Sequence, residues 1–184
     1  MKSKIVLLTS ALLTVLFVGC AKQPVVPKQT TPPETTPNVV TTASIVNTTA
    51  AFEKAISSKG TWIIAITKDL AIDKELVVDG EYKNGKKDDG GKDIIQRKIA
   101  LYSQDENKNI TARFTLTVPK LTINSANGSI EHGTFKGDLY VSANNFQLKD
   151  ASVDGNIYFT TDEAKSTFKM DAKSKLTGKA ELKK

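Results

Sequence analysis

Positions eighteen residues apart carry the same kind of side chain through the middle of this chain, and that periodicity constrains the fold more than any other feature. Leu121, Leu139 and Ile157 form one series, and Ile123, Val141 and Phe159 form a second. The series stay in phase with their surroundings: Phe135 falls on Val153, Ile130 on Leu148, Gly137 on Gly155, Asn127 on Asn145 and Tyr140 on Tyr158. Leu139-Tyr140-Val141 and Ile157-Tyr158-Phe159 alternate inward and outward, the period that a strand with one buried face requires. Strands recurring at a fixed interval bury their apolar series by stacking copy on copy at about 4.8 Å.

Glycines in Gly133-Thr134-Phe135-Lys136-Gly137 and Asp154-Gly155-Asn156 suit the corners of such a stack, and Pro119, which cannot donate to a ladder, marks another. A left-handed hexapeptide helix also closes in eighteen residues, but Ser129 and Gln147 interrupt a strict period of six. The expected fold is all-β: a short right-handed parallel β-helix, or solenoid, of about 18 residues per coil. Ahead of the repeat, Phe52, Ala55 and Ile56 recur at helical spacing, with Asn47 or Thr48 to cap the start and Gly60 to end it. This spacing predicts an N-terminal helix that plugs the open end of the coil. Residues 62–66, 70–72 and 76–78 read as strands, and 82–93 as a projecting loop. Residues 98–103 and 110–118 read as strands joined by a polar turn at 105–109, either irregular coils or a hairpin, and 168–176 closes the last coil.

The first residues address the protein rather than fold it. Lys2 and Lys4 precede an apolar and small-residue stretch over 5–18. That stretch falls short of the ~20 residues needed to cross a bilayer, so it reads as a cleaved secretory signal. It ends in Leu16-Phe17-Val18-Gly19-Cys20, which resembles a bacterial lipobox, with Phe17 standing where Leu is usual. The resemblance implies a lipoprotein signal peptide over 1–19 and lipid attachment at Cys20, whose thiol would carry a diacylglyceryl group. Acyl chains contribute about 0.8 kcal/mol per buried methylene, so such an anchor is durable. As the lone cysteine, Cys20 also excludes an internal disulfide and any zinc site built on several cysteines. Residues 20–49 hold five of the six prolines and a dense run of threonines. They read as a lipid-anchored linker with a reach of up to ~90 Å, ahead of a solenoid domain over 50–184.

Residues 60–184 resemble the β-solenoid lipoproteins of Gram-positive bacteria. Val153-Asp154-Gly155-Asn156-Ile157 is similar to the corner motif of bactofilin-type polymer-forming proteins, whose triangular coils are of about this length. The resemblance implies a protein held on the outer face of the cytoplasmic membrane, and the bactofilin likeness adds self-assembly as an alternative role. A composition of 39% hydrophobic and 25% charged residues excludes a disordered chain and a polytopic membrane protein. The net charge of +6 is local, since 165–184 hold seven lysines against Asp171 and Glu181. Lys173, Lys175, Lys179 and Lys183 are therefore candidate contacts for wall polymer or lipid headgroups, although lysines also keep an open solenoid end from pairing with another chain. Tyr140 and Tyr158, with Thr122 below them, form a candidate strip on which sugar rings can lie.

Catalysis finds little support. Right-handed β-helices host polysaccharide lyases and hydrolases, but such chemistry needs carboxylates held at a defined separation. Asp138 and Asp154 lie out of phase with the repeat, which places Asn156 and Lys136 in their columns. Asp88, Asp89 and Asp93 are interleaved with Lys86, Lys87 and Lys92, which favours a solvated loop over a calcium site. His132, the single histidine, has no nucleophile beside it in sequence. The expected function is non-enzymatic, a binding or structural role at the bacterial envelope toward an anionic polymer or protein partner, without catalytic residues, metal, cofactor or nucleic acid. A reduced carbohydrate-active enzyme is the alternative.

Overall fold

The structure, a computed structural model, describes residues 43–183 and is mostly β. Cys20, the expected site of lipid attachment, and the expected signal segment lie outside the described residues. The chain opens with β1 (Ala43–Val46), α1 (Thr49–Ile56) and β2 (Ile63–Ile66), then the short strands β3 (Leu70–Ala71) and β4 (Leu76–Val78). A hairpin of β5 (Lys83–Lys87) and β6 (Asp93–Ile95) follows, then β7 (Arg97–Ala100) and a second hairpin of β8 (Tyr102–Gln104) and β9 (Ile110–Arg113). The long strands β10 (Thr115–Ile123) and β12 (Thr134–Val141) flank β11 (Gly128–Glu131). Beyond them come β13 (Gln147–Lys149), β14 (Ser152–Asp154), β15 (Ile157–Phe159), α2 (Asp162–Thr167), β16 (Lys169–Met170), β17 (Lys175–Leu176) and β18 (Ala180–Leu182).

Two parallel sheets carry the body. One runs β1-β2-β7-β11-β13-β16, and the other places β10 and β12 between β3 and β4 on one side and β14, β15, β17 and β18 on the other. The eighteen-residue series are register partners, with Leu121 beside Leu139 and Leu139 beside Ile157, and the same for Ile123, Val141 and Phe159. The pairing extends beyond the repeat, from Leu76 to Leu121 at one side and from Ile157 to Ala180 at the other. A third column runs Ile64, Ile99, Ile130, Leu148 and Met170 in the first sheet. Stacking in register is what buries these side chains, and all but Met170 and Ala180 lie in the core.

The bends recur with the period. Left-handed backbone occurs at Asn127, His132 and Gly137, and again eighteen residues on at Asn145, Asp150 and Gly155. Pro119 sits at the same bend as Gly137, but inside the continuous strand β10. There Val118 and Pro119 oppose Gly137 alone, a bulge in which the missing proline N–H interrupts no ladder bond.

Two expectations need correction. Ala43–Val46, placed by the sequence in the linker, pairs in parallel with Ile63–Ile66, so the folded body begins before residue 50. The projecting loop at 82–93 is a hairpin that extends to Ile95, with Asp93 bridged to Lys83 at 2.7 Å and Lys87 at 3.2 Å. Of the two readings left open for 98–118, the hairpin is the one observed, since β8 and β9 pair antiparallel between β7 and β10.

Helix α1 starts where the sequence places it, with the Thr48 hydroxyl accepting the Ala51 N–H at 3.2 Å, and it buries Phe52, Ala55 and Ile56. Arg97 meets its C-terminal end, donating from Nη2 to the carbonyls of Ala55 at 2.7 Å and Ser57 at 3.3 Å. Its guanidinium lies 3.9 Å from the centre of the Tyr82 ring, whose hydroxyl donates to Ser57 O at 2.6 Å. A cation against the carbonyl end of a helix is electrostatically favourable.

Candidate functional site

The outward residues of β4, β10, β12, β15 and β18 form one row: Val77, Thr122, Tyr140, Tyr158 and Glu181 in register. Stacking of successive strands brings the Tyr140 and Tyr158 rings to 4.9 Å between centroids, tilted by 43°. Lys183 reaches back along this row, donating from Nζ to the Tyr140 hydroxyl at 2.9 Å and lying 4.3 Å from the centre of the Tyr158 ring. Lys120 approaches the Tyr140 ring at 4.8 Å while pairing with Glu75 at 3.0 Å. The bond to the Tyr140 hydroxyl raises the Lys183 pKa above the ordinary lysine value, so this ammonium is fully charged at neutral pH. A strip read as bare platforms for sugar rings is thus partly overlaid by two cations. Phenol hydroxyls and ammonium groups held together place hydrogen-bond donors and positive charge on one face.

The other candidate lysines do not join this cluster. Lys175 lies on β17 beside Ser152, Lys179 directly precedes β18, and Lys173 sits in the turn closed by Asp171. All three are exposed on the last pass of the chain. Of the six residues singled out by sequence, the structure brings together Tyr140, Tyr158 and Lys183. Lys120 is the member that sequence reasoning missed, since its tie to Tyr140 depends on the bulge beside it.

Several other polar groups hold bends and a hairpin in place. Asp138 Oδ1 accepts the backbone N–H of Asn156 at 3.0 Å and its side-chain amide at 3.1 Å, which fixes a bend. His132 contacts Asp150 Oδ2 through Nδ1 at 3.0 Å, and Arg113 Nη2 meets the same oxygen at 2.6 Å. The Tyr102 ring packs edge-on against His132 at 4.6 Å, so this group ties the hairpin β8–β9 to the body. The hydrogen bond from Arg113, followed by that from His132, lowers the Asp150 pKa. A trough of about 680 Å³ on the outside of the Pro119 bend is lined by Ile72, Asp73, Val118, Lys136 and their neighbours, apart from the tyrosine row.

Glu131 is 5% exposed and bridges two strands' lysines, with Oε2 2.9 Å from Lys98 and Oε1 3.2 Å from Lys149. The Ser129 hydroxyl also donates to Oε1 at 3.0 Å. Burial pushes its pKa upward, but the Lys98 hydrogen bond, the charges of Lys98 and Lys149 and the Ser129 hydroxyl outweigh it, and the net value falls below that of an ordinary carboxylate. A folded-state pKa below the unfolded one gives stability that is present above the ordinary carboxylate pKa and is lost as pH falls through the lowered value. Glu131→Gln is expected to cost about 1–3 kcal/mol at pH 7 and to flatten the acid limb of stability. Urea melts of both proteins between neutral pH and the acid limb check this, and parallel stability curves would refute it.

No family model, no curated protein and no solved structure matches this chain.

Proposed function

We propose that this protein is a lipid-anchored, non-catalytic surface protein of the bacterial envelope, whose body is a right-handed parallel β-solenoid with α1 capping its N-terminal end. The register columns and the periodic bends support the solenoid, and parallel strands joined by crossovers are right-handed in nearly all cases. The lipobox-like run at Cys20 and the proline-rich stretch behind it support a tether that carries the body away from the membrane. Cys20→Ser is expected to release the protein from the membrane fraction into the soluble extracytoplasmic fraction, and a variant that still pelleted with membranes would remove the anchor from this reading.

The ligand class is an anionic envelope polymer, and the observation that carries it is the pair of stacked tyrosines with Lys183 and Lys120 lying over them. A repeating phosphate polymer meets such a ladder with its charges on the ammonium groups and its sugar or glycerol units against the rings. The triple variant Tyr140→Ala, Tyr158→Ala, Lys183→Ala is expected to lose roughly tenfold in affinity for a purified glycerol-phosphate polymer, and the wild-type affinity to fall with added salt. Equal retention of both proteins on the immobilised polymer at low salt would reject this face as the site.

A further inference from the structure

Among the described residues, the last pass differs in form from the first. At the first passes α1 lays Phe52, Ala55 and Ile56 against the core. At the other end the inward columns run on from Leu148 to Met170, from Val153 to Leu176 and from Phe159 to Leu182. Helix α2 buries only Ala164 there, Met170 is 46% exposed, and Leu176 and Leu182 are half-buried. Apolar columns that are sealed by neighbours elsewhere are therefore open at this face.

The backbone there is also a template. Among the described residues, β16, β17 and β18 have strand partners on one side only. Lys169, Lys175 and Lys183 donate their N–H groups backward, to Phe146, Ala151 and Phe159. Peptide groups alternate sides along a strand, so the N–H and C=O groups of Met170, Leu176 and Leu182 are directed to the far edge. In the preceding pass the equivalent carbonyls of Leu148, Val153 and Phe159 each accept an N–H from this one.

Around the edge stand the exposed Lys169, Lys173, Lys175 and Lys179, while Lys183 is turned back to the Tyr140 hydroxyl. The carboxylate of Asp171 is turned to the Asp150 N–H and to Ser174. Two such ends repel each other, which disfavours a second copy as the occupant. A polyanionic glycan would answer the lysines but neither the peptide edge nor the apolar columns.

We infer that this edge receives an extended segment of a partner protein in which apolar and acidic residues alternate, added as a further strand. Laid along β17 and β18, which share one sheet, its apolar side chains continue the columns over Leu176 and Leu182, and its carboxylates meet the lysines. The inference rests on the stacked architecture proposed above and is independent of polymer binding at the tyrosine row.

The test uses the purified full chain and a fluorescent peptide of about ten residues alternating Glu and Val, compared with polyglutamate of equal length and with a Lys and Val alternation. The Glu and Val peptide is expected to bind at least about tenfold tighter than polyglutamate, and the Lys and Val peptide weakest of all. Hydrogen exchange should slow at the Leu176 and Leu182 amides on binding. Lys175→Glu combined with Lys179→Glu, both exposed, should weaken binding roughly tenfold without lowering the melting temperature. The Tyr140→Ala, Tyr158→Ala variant should keep peptide binding, so a failure of the polymer reading is seen separately. Absence of peptide binding, equal binding of polyglutamate, or binding without amide protection would each overturn strand addition. Concentration-dependent sedimentation that the lysine-to-glutamate variant alters would make a second copy the occupant and overturn it as well.

Discussion

Val141→Asp is expected to abolish cooperative folding of the body. Val141 is 0% exposed and lies in register between Ile123 and Phe159, themselves 2% and 1% exposed. The carboxylate would enter an apolar column, where an uncompensated charge costs several kcal/mol or is neutralised by taking up a proton, which also costs stability at neutral pH. Domains hold together by about 5–15 kcal/mol, so one such substitution consumes most of the margin. The stack makes the damage spread. Each pass is completed by the one beside it, so a weakened β12 also exposes the inner faces of β10 and β15. Thermal melts followed by far-ultraviolet circular dichroism check this: the variant should show no cooperative transition or a midpoint lowered by more than about 15 °C. Val141→Ala, which leaves a cavity without a charge, should lose only about 1–3 kcal/mol. An unchanged midpoint for the aspartate variant would mean that the column is not the core.

What the sequence revealed depended on whether the period ran uninterrupted. Between Gly128 and Phe159 the spacing is regular, and the columns of Leu139 and Val141 could be read from residue identity alone. The helix was legible for a different reason, since Phe52, Ala55 and Ile56 follow helical spacing behind the Thr48 cap. The first strand was not, because Ala-Ser-Ile-Val is short, follows a threonine-rich stretch and gains its meaning only beside Ile63–Ile66. His132 and Asp150 stand eighteen residues apart, as do Glu131 and Lys149, so both contacts were available to anyone who applied the period to polar residues as well as apolar ones. Lys98 reaches Glu131 only after a hairpin has broken the period, and Arg97 finds its carbonyl partners at the end of a helix that precedes another hairpin. No local pattern encodes such contacts. The tyrosine row was visible as two aromatic residues in phase, while the cations over it depended on where a bulge and the last strand fall.

Gly155→Ala tests the bends as Val141→Asp tests the columns. Gly155 has φ of 152°, Gly137 has φ of 130°, and both lie at the bend shared with Pro119. A Cβ on Gly155 would fall well inside van der Waals contact of the Gly137 carbonyl, one on Gly137 would meet the Val118 carbonyl in the same way, and one on Gly178 the Gly155 carbonyl. At this bend each pass rests its backbone directly on the next, with no room for a side chain between them. An alanine there carries two costs: about 1–2 kcal/mol for the backbone conformation, and a further one because two backbones that cannot flex like a side chain must separate. The expected loss is at least ~3 kcal/mol in a urea melt. Gly85 supplies the control. It also has positive φ, at 80°, but a Cβ there meets nothing within 4 Å, so Gly85→Ala should carry only the conformational cost of about 1 kcal/mol. Because the two substitutions share their chemistry and differ in what lies above them, the difference between their losses measures the close stacking of backbones at the bend. Equal losses would mean that the passes at Gly155 are spaced by something other than direct contact.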